Sequence, residues 1–222
     1  NVEVLTRVEE LAPDDREMLI RDTVAQIGEL TRLVGDLVEL ARGDGHEDSF
    51  TVVDLDGITR HVVDVARRNH PAIEFRVHGA PSQIRGVPDR VERAVSNLID
   101  NAAKWSPPGA AVEVEVFDAA VIITDHGPGI APSDLPHIFE RFYRSAEARS
   151  MPGSGLGLAI VKQVADSHDG TVTASTPPGG GAQFALRFRA IRGDEAANDQ
   201  LPAGSDSSST ASSRSTHAAR GA

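Results

Sequence analysis

Asn97, Asp100, Asn101 and Lys104 recur three and four residues apart, so on a helix they share one side. Amide oxygens, a carboxylate and a cation together form the set that a magnesium-bound phosphate requires. A solvated polar face would produce the same spacing. Against that stands the helix-averse asparagine, whose amide competes with the backbone and which here occurs twice, four apart. Further on, Asp125-His126-Gly127-Pro128-Gly129 places a carboxylate and two glycines directly after an apolar run. Such a turn lets backbone approach a flat ligand while the acid accepts a hydrogen bond, although Asp and Gly also punctuate ordinary turns.

A third stretch, Gly153-Ser154-Gly155-Leu156-Gly157-Leu158, opens a helical pattern. Glycines at a helix start leave amide donors at the positive end of the dipole, where a phosphate binds. The pattern is not the dinucleotide fingerprint, because no buried strand leads into it, and it is not a Walker loop, because no Gly-Lys-Ser/Thr follows. Between the two glycine motifs lies Phe139-Glu140-Arg141-Phe142-Tyr143-Arg144, aromatics able to anchor a loop and arginines able to reach a phosphate. Each motif alone is weak; all four in this order are hard to attribute to coincidence.

The elements that must position these residues read as an α+β domain over 46–190. Strands are expected near 50–53, 73–77, 112–116, 120–124, 171–175 and 183–189, with helices carrying Leu55, Ile58, Val62 and Ala66, after Pro88 and over 157–168. In the helix after Pro88, Val91, Ala94, Val95, Leu98, Ile99, Ala102 and Trp105 form one apolar arc opposite the asparagines. Strands and helices mix without strict alternation, which points to helices packed on one face of a sheet. The stretch 126–157 is long and rich in Gly, Pro and Ser, a better fit to a functional loop than to a connection.

Upstream, residues 1–43 read as a partial helical hairpin. Asp14 and Glu17 make an N-terminal cap, and Ile20, Ile27, Val34 and Ala41 fall seven apart, interleaved with Thr23, Leu30 and Leu37. Leu19, Leu33 and Leu40 widen the stripe as a four-helix bundle wants. Downstream, residues 191–222 hold Ser, Thr, Ala and Gly with almost no large apolar groups, a composition expected to stay disordered.

Composition narrows the function classes. The 222 residues carry 22 Lys+Arg against 33 Asp+Glu, a net charge of −11, which argues against nucleic-acid or anionic-membrane binding. No apolar run reaches the length of a membrane span. The absence of cysteine excludes disulfides, thiolate metal sites and thiol catalysis.

With these residues in place, the sequence resembles the catalytic, ATP-binding end of the two-component sensor histidine kinases. The family's N box matches Asn97-Leu98-Ile99-Asp100-Asn101-Ala102-Ala103-Lys104, its G1 box residues 125–129, its F box residues 139–144 and its G2 box residues 153–158. Asn101-Ala-Ala-Lys-Trp-Ser-Pro-Pro-Gly109 and Phe139-Glu-Arg-Phe-Tyr-Arg144 look most like the actinobacterial envelope-stress branch. The resemblance covers residues 1–190. It implies a Bergerat-type sandwich with ATP held between helices and a lid. By that resemblance Asp125 accepts the adenine amino group, Gly127 and Gly129 allow close approach, and Ile130 lies against the base. Asn101 and Asn97 hold Mg²⁺, Lys104 and Arg144 neutralise phosphate charge, and Tyr143 packs near the ribose. Gly153, Gly155 and Gly157, with Leu156 and Leu158, shape the lid and present amides to phosphate. His126 replaces the family's usual asparagine.

Relatives that hydrolyse ATP carry a glutamate four residues before the magnesium asparagine; here Asn97 stands there, a poor base, which favours phosphoryl transfer over hydrolysis. The family's acceptor histidine lies in a His-Glu-x-x-x-Thr/Pro segment, and none of the eight histidines has that context. The chain also starts in mid-pattern at Asn1, so it is expected to be the cytoplasmic piece of an inner-membrane sensor, lacking the acceptor and making no membrane contact itself. Its expected partners are a response-regulator receiver domain and, through the hairpin, a second copy. A serine kinase that antagonises a sigma factor, an ATPase clamp and a plain dimerisation module are the competing readings. The first would lack the hairpin, the second would need glutamate at 97, and the third leaves the four boxes without purpose.

Overall fold

The computed structural model describes residues 49–151 and 153–191, together with 12, 15–24, 26, 27, 34 and 35. Most of the hairpin expected over 1–43 and nearly all of the tail expected over 191–222 therefore lie outside the described residues. Residues 15–24 are helical, and Ile20, Val24, Ile27 and Val34 are exposed.

The described elements run β1 (Thr51–Asp54), α1 (Leu55–Asn69), β2 (Glu74–Gly79), β3 (Gln83–Gly86), α2 (Pro88–Trp105), β4 (Ala111–Phe117), β5 (Ala120–Thr124), α3 (Gly157–Ser167), β6 (Thr171–Ser175) and β7 (Gln183–Arg187). Five strands form a mixed sheet in the order β2-β4-β5-β7-β6, parallel only between β2 and β4, while β1 and β3 pair separately. The expected α+β class holds. The short β3 went unforeseen, because its sequence, Gln-Ile-Arg-Gly, alternates for too few residues to register.

Register explains the layering. Phe75 pairs with Val112, Val114 with Ile123, Val121 with Leu186, and Leu186 with Val172, so apolar side chains line up across the sheet. These residues are all buried. On the other face Arg76 pairs with Glu113 and His78 with Glu115, and Arg76 hydrogen-bonds both Glu113 (3.2 Å) and Glu74 (3.0 Å). A slip of one residue would exchange the two faces, which is what makes this register strongly specified.

The helices cover the apolar face with matching stripes. Helix α2 buries Val91, Ala94, Val95, Leu98, Ile99, Ala102 and Ala103. Its start is set by Pro88 at the first helical position, where a missing N–H costs nothing. Asp54 caps α1 by accepting the Gly57 amide at 3.0 Å. Leu98 and Ile99 are fully buried, and truncating either to Ala carries a cost of about 2–5 kcal/mol.

Candidate active site

With its apolar stripe committed to the core, α2 must turn Asn97, Asp100, Asn101 and Lys104 the other way. All four line a cavity of about 680 Å³. The far wall is the segment from β5 to α3, whose one helical element among the described residues is the 3₁₀ turn Glu147–Ser150. The structure thus brings the asparagine helix, the Asp-Gly turn, the aromatic segment and the glycine-rich helix start to one place.

Asp125 sits at the floor, 1% exposed. Its Oδ1 accepts from the Gly127 amide (2.9 Å) and the Ala182 amide (3.0 Å). Burial pushes its pKa up from the ordinary carboxylate value, and the two backbone hydrogen bonds offset this only in part. Its Oδ2 is buried and has no hydrogen-bond partner among the described residues. An acceptor stranded in this way costs free energy unless a ligand donor completes it, and an adenine amino group is such a donor.

The opposite end holds a second orphan. Asn97 Nδ2 is buried without a hydrogen-bond partner among the described residues, while a Cβ at Gly157 would lie 3.3 Å from Asn97 Oδ1. The first turn of α3 has no side-chain cap, which keeps side chains from competing for its amides. Lys104 reaches the same region, its Nζ lying 3.1 Å from where a Cβ on Gly153 would stand. Uncharged amide oxygens from Asn97 and Asn101 suit a magnesium ion that brings phosphate and water as its other ligands. Among the described residues no group of three His, Cys, Asp or Glu is placed to hold a metal ion.

The aromatic segment closes the loop. Tyr143 lines the cavity, and its hydroxyl donates to Asp134 at 3.0 Å, a bond that raises the phenol pKa. Arg144 also lines it, with Nη2 donating to the lid carbonyls of Ala148 and Met151. Gly129, Ile130, Gly153, Gly155 and Leu158 complete the predicted wall. The Ile130 amide is pinned by Thr176 Oγ1 at 3.2 Å.

Two predicted residues also have structural roles. Gly127 lies outside the cavity lining, and a Cβ there would meet the Trp105 carbonyl oxygen at 2.7 Å, so it permits a close approach to the end of α2. Leu156 is 2% exposed and packs in the core, leaving only its backbone for a ligand. His126 is exposed and also lies outside the lining.

Other lining residues were missed: Trp105, His70, Asp134, Ile138 and Phe184. Trp105 was assigned to the apolar arc of α2, where indole and cavity wall look alike in sequence. Gly181 was missed as well, although its φ of +77° and a Cβ that would stand 1.9 Å from the Asp125 carbonyl oxygen make it indispensable there. The run Gly179-Gly180-Gly181 was the available signal.

Residues 86–192 match the family model "Histidine kinase-, DNA gyrase B-, and HSP90-like ATPase". The histidine-protein kinase/phosphatase MprB of Mycolicibacterium vanbaalenii is 42% identical over 204 residues, covering 87% of this chain and 40% of the relative. MprB of Mycobacterium avium is 45% identical over 195 residues, covering 81% and 37%. The chain thus spans about 40% of the length of the curated relatives it matches. Among solved structures, a mycobacterial sensor histidine kinase MprB aligns with TM-score 0.57 at 41% identity, over 64% of this chain and 99% of that one. The ATP-binding domain of PrrB from Mycobacterium tuberculosis aligns with TM-score 0.54 at 29% identity, over 65% and 100%. The four boxes, the sandwich fold and these likenesses agree: the chain belongs to the two-component sensor histidine kinases of the MprB type and comprises their catalytic, ATP-binding domain.

Proposed function

We propose that this domain binds Mg·ATP and transfers the γ-phosphoryl group to a histidine on a helical hairpin, from which it passes to an aspartate of a response-regulator receiver domain. The observation that carries the reading is the pair of buried, unpartnered polar atoms, Asp125 Oδ2 and Asn97 Nδ2, in residues that line one cavity. A purine amino group, which donates to Asp125 Oδ2, and a phosphate oxygen, which accepts from Asn97 Nδ2, complete them in a single ligand and leave Asn97 Oδ1 for the metal.

In this mechanism the attacking imidazole nitrogen forms a bond to the γ-phosphorus as the bond to the β–γ bridging oxygen breaks, ADP leaves, and the imidazole gives up its proton. Asp125 fixes the adenine. Asn97 and Asn101 would hold Mg²⁺, which when bound supplies charge neutralisation between the phosphates. Lys104 and the first-turn amides of α3 hold the phosphoryl oxygens, and Arg144 joins them when it exchanges its lid carbonyls for phosphate. Positioning and charge stabilisation carry most of such a transfer. Asn97 offers no base for water, so hydrolysis is the weaker reading. On the same reading the domain works on the cytoplasmic side of a membrane sensor, as a dimer joined through the hairpin.

The test supplies the chain with γ-labelled Mg·ATP and a separate hairpin bearing an acceptor histidine. Acid-labile label on the added hairpin is the expected result. Failure to bind nucleotide would sink the reading.

A further inference from the structure

His168 lies outside the cavity, yet it joins the two helices that form its walls. It follows the last residue of α3 and is 4% exposed. Its Nε2 lies 3.0 Å from the Val87 amide nitrogen, the residue that precedes α2. Its Nδ1 lies 2.8 Å from the Val164 carbonyl oxygen within α3, with the Ser167 hydroxyl 3.1 Å away. The partners dictate the tautomer. Val87 N–H can only donate, so Nε2 accepts; Val164 C=O can only accept, so Nδ1 carries the hydrogen. The ring is boxed in by Phe50 and Phe188, with centroids at 4.9 and 5.7 Å, and by Gly86, where a Cβ would stand 2.8 Å from the imidazole Cδ2.

The placement of this contact relative to the cavity gives it consequence. Helix α3 runs back along α2, with Gly157 beside Asn97 at the cavity and His168 beside Val87 at the far end. Asn97 lies ten residues beyond Val87 and His168 eleven beyond Gly157, spans of about 15–17 Å each at the helical rise. The two helices are therefore matched in length between two points of contact. An apolar helix interface resists separation but tolerates sliding better than a directional hydrogen bond does. Beyond His168 the chain turns at once, with Asp169 at φ 50° and the Gly170 amide bonded to Ala165 O at 2.8 Å, so the imidazole cannot drift with a loose loop.

We propose that His168 is a positioning residue: by accepting the Val87 amide hydrogen while donating to Val164, it sets the axial register of α3 against α2 and thereby the distance from the α3 amides to Asn97. The proposal rests on the Mg·ATP reading above. It requires a neutral ring, since a proton on Nε2 would face the Val87 N–H donor. Burial lowers the pKa of His168, and Arg90 on α2 acts in the same direction, while Asp169 and the Val164 carbonyl oppose them. Phe50, Phe188 and Gly86, on the remaining sides, do not titrate.

The experiment compares wild type, His168→Asn and His168→Gln in binding Mg·AMPPNP and adenosine. Glutamine places an amide where Nε2 stands and can still accept from Val87; asparagine reaches only the Nδ1 position and keeps the Val164 bond alone. His168→Asn is expected to weaken AMPPNP binding about tenfold and to leave adenosine within about twofold, because only the phosphate end depends on the register. His168→Gln should recover AMPPNP binding to within about threefold of wild type. Equal weakening of both ligands, unchanged AMPPNP binding in His168→Asn, or no recovery with Gln would each overturn the proposal. Should His168→Asn fail to fold, wild type and His168→Gln are compared from about pH 7.5 to pH 5.5. A steeper loss of AMPPNP affinity in wild type supports the pin, and parallel profiles overturn it. Wild-type chain that binds no AMPPNP at neutral pH would instead defeat the nucleotide reading itself.

Discussion

The Phe142 amide donates to the Gly155 carbonyl at 3.0 Å, joining the aromatic segment to the glycine-rich helix start across the whole lid. Both residues sit in the left-handed region, at φ 64° and φ 74°. The clasp is tight: a Cβ at 155 would stand 2.8 Å from both the Phe142 carbonyl carbon and the Tyr143 carbonyl oxygen. The lid therefore leaves and re-enters the domain at one point.

Gly155→Ala should open that clasp. Left-handed strain of about 1–2 kcal/mol adds to the clash, and the loop has few buried contacts with which to absorb it. Nucleotide affinity is expected to fall about tenfold or more, with Tm little changed because the core is untouched. Calorimetric titration and limited proteolysis between 140 and 155 check this; unchanged affinity would show the clasp to be dispensable.

Asp125→Asn keeps an oxygen for Gly127 and Ala182 but replaces the unpartnered Oδ2 with a donor. Facing an adenine amino group, that donor should reduce ATP affinity by about ten- to a hundredfold. Tm should hold or rise, since a neutral amide is cheaper to bury than a carboxylate. A variant that binds ATP as tightly as wild type would remove Asp125 from the site.

Asn101→Ala should leave the fold intact, Asn101 being only half-buried at the cavity edge, and abolish the magnesium-dependent part of nucleotide binding. Titrations with and without Mg²⁺ separate the two contributions. Equal affinities for wild type and variant in Mg²⁺ would contradict the metal assignment.

Acid should act through two buried groups with opposite signs. The pKa of Asp125 is raised on folding, so the folded chain holds that proton more tightly and the stability gained is lost as pH rises through the folded value. The pKa of His168 is lowered from 6.5, so the unfolded chain takes that proton first and stability falls as pH drops below about 6.5, levelling off below the folded value. His168→Gln should remove the second effect only. Thermal melts of both proteins across pH 4 to 8 test it; identical slopes around pH 6 would mean that His168 titrates normally.

Much of the domain is legible from residues in order, because helix and strand periods, capping residues and glycine turns are properties of single segments. The apolar stripe of α2 dictates that Asn97, Asn101 and Lys104 share a face, whatever that face meets. The alternation in β4 and β5 dictates which side of each strand is buried. Family likeness pointed to Asp125 as an adenine acceptor before any geometry was known, a role that the Asp125→Asn titration tests. Tertiary structure alone decided the rest. It set Gly153 against Lys104 and Gly157 against Asn97, turned Gly127 toward the Trp105 carbonyl, made Gly181 the cover over Asp125, and bonded His168 to Val87. Each of these joins segments far apart in the chain, and which pairs meet depends on sheet order and helix register, which no local pattern encodes.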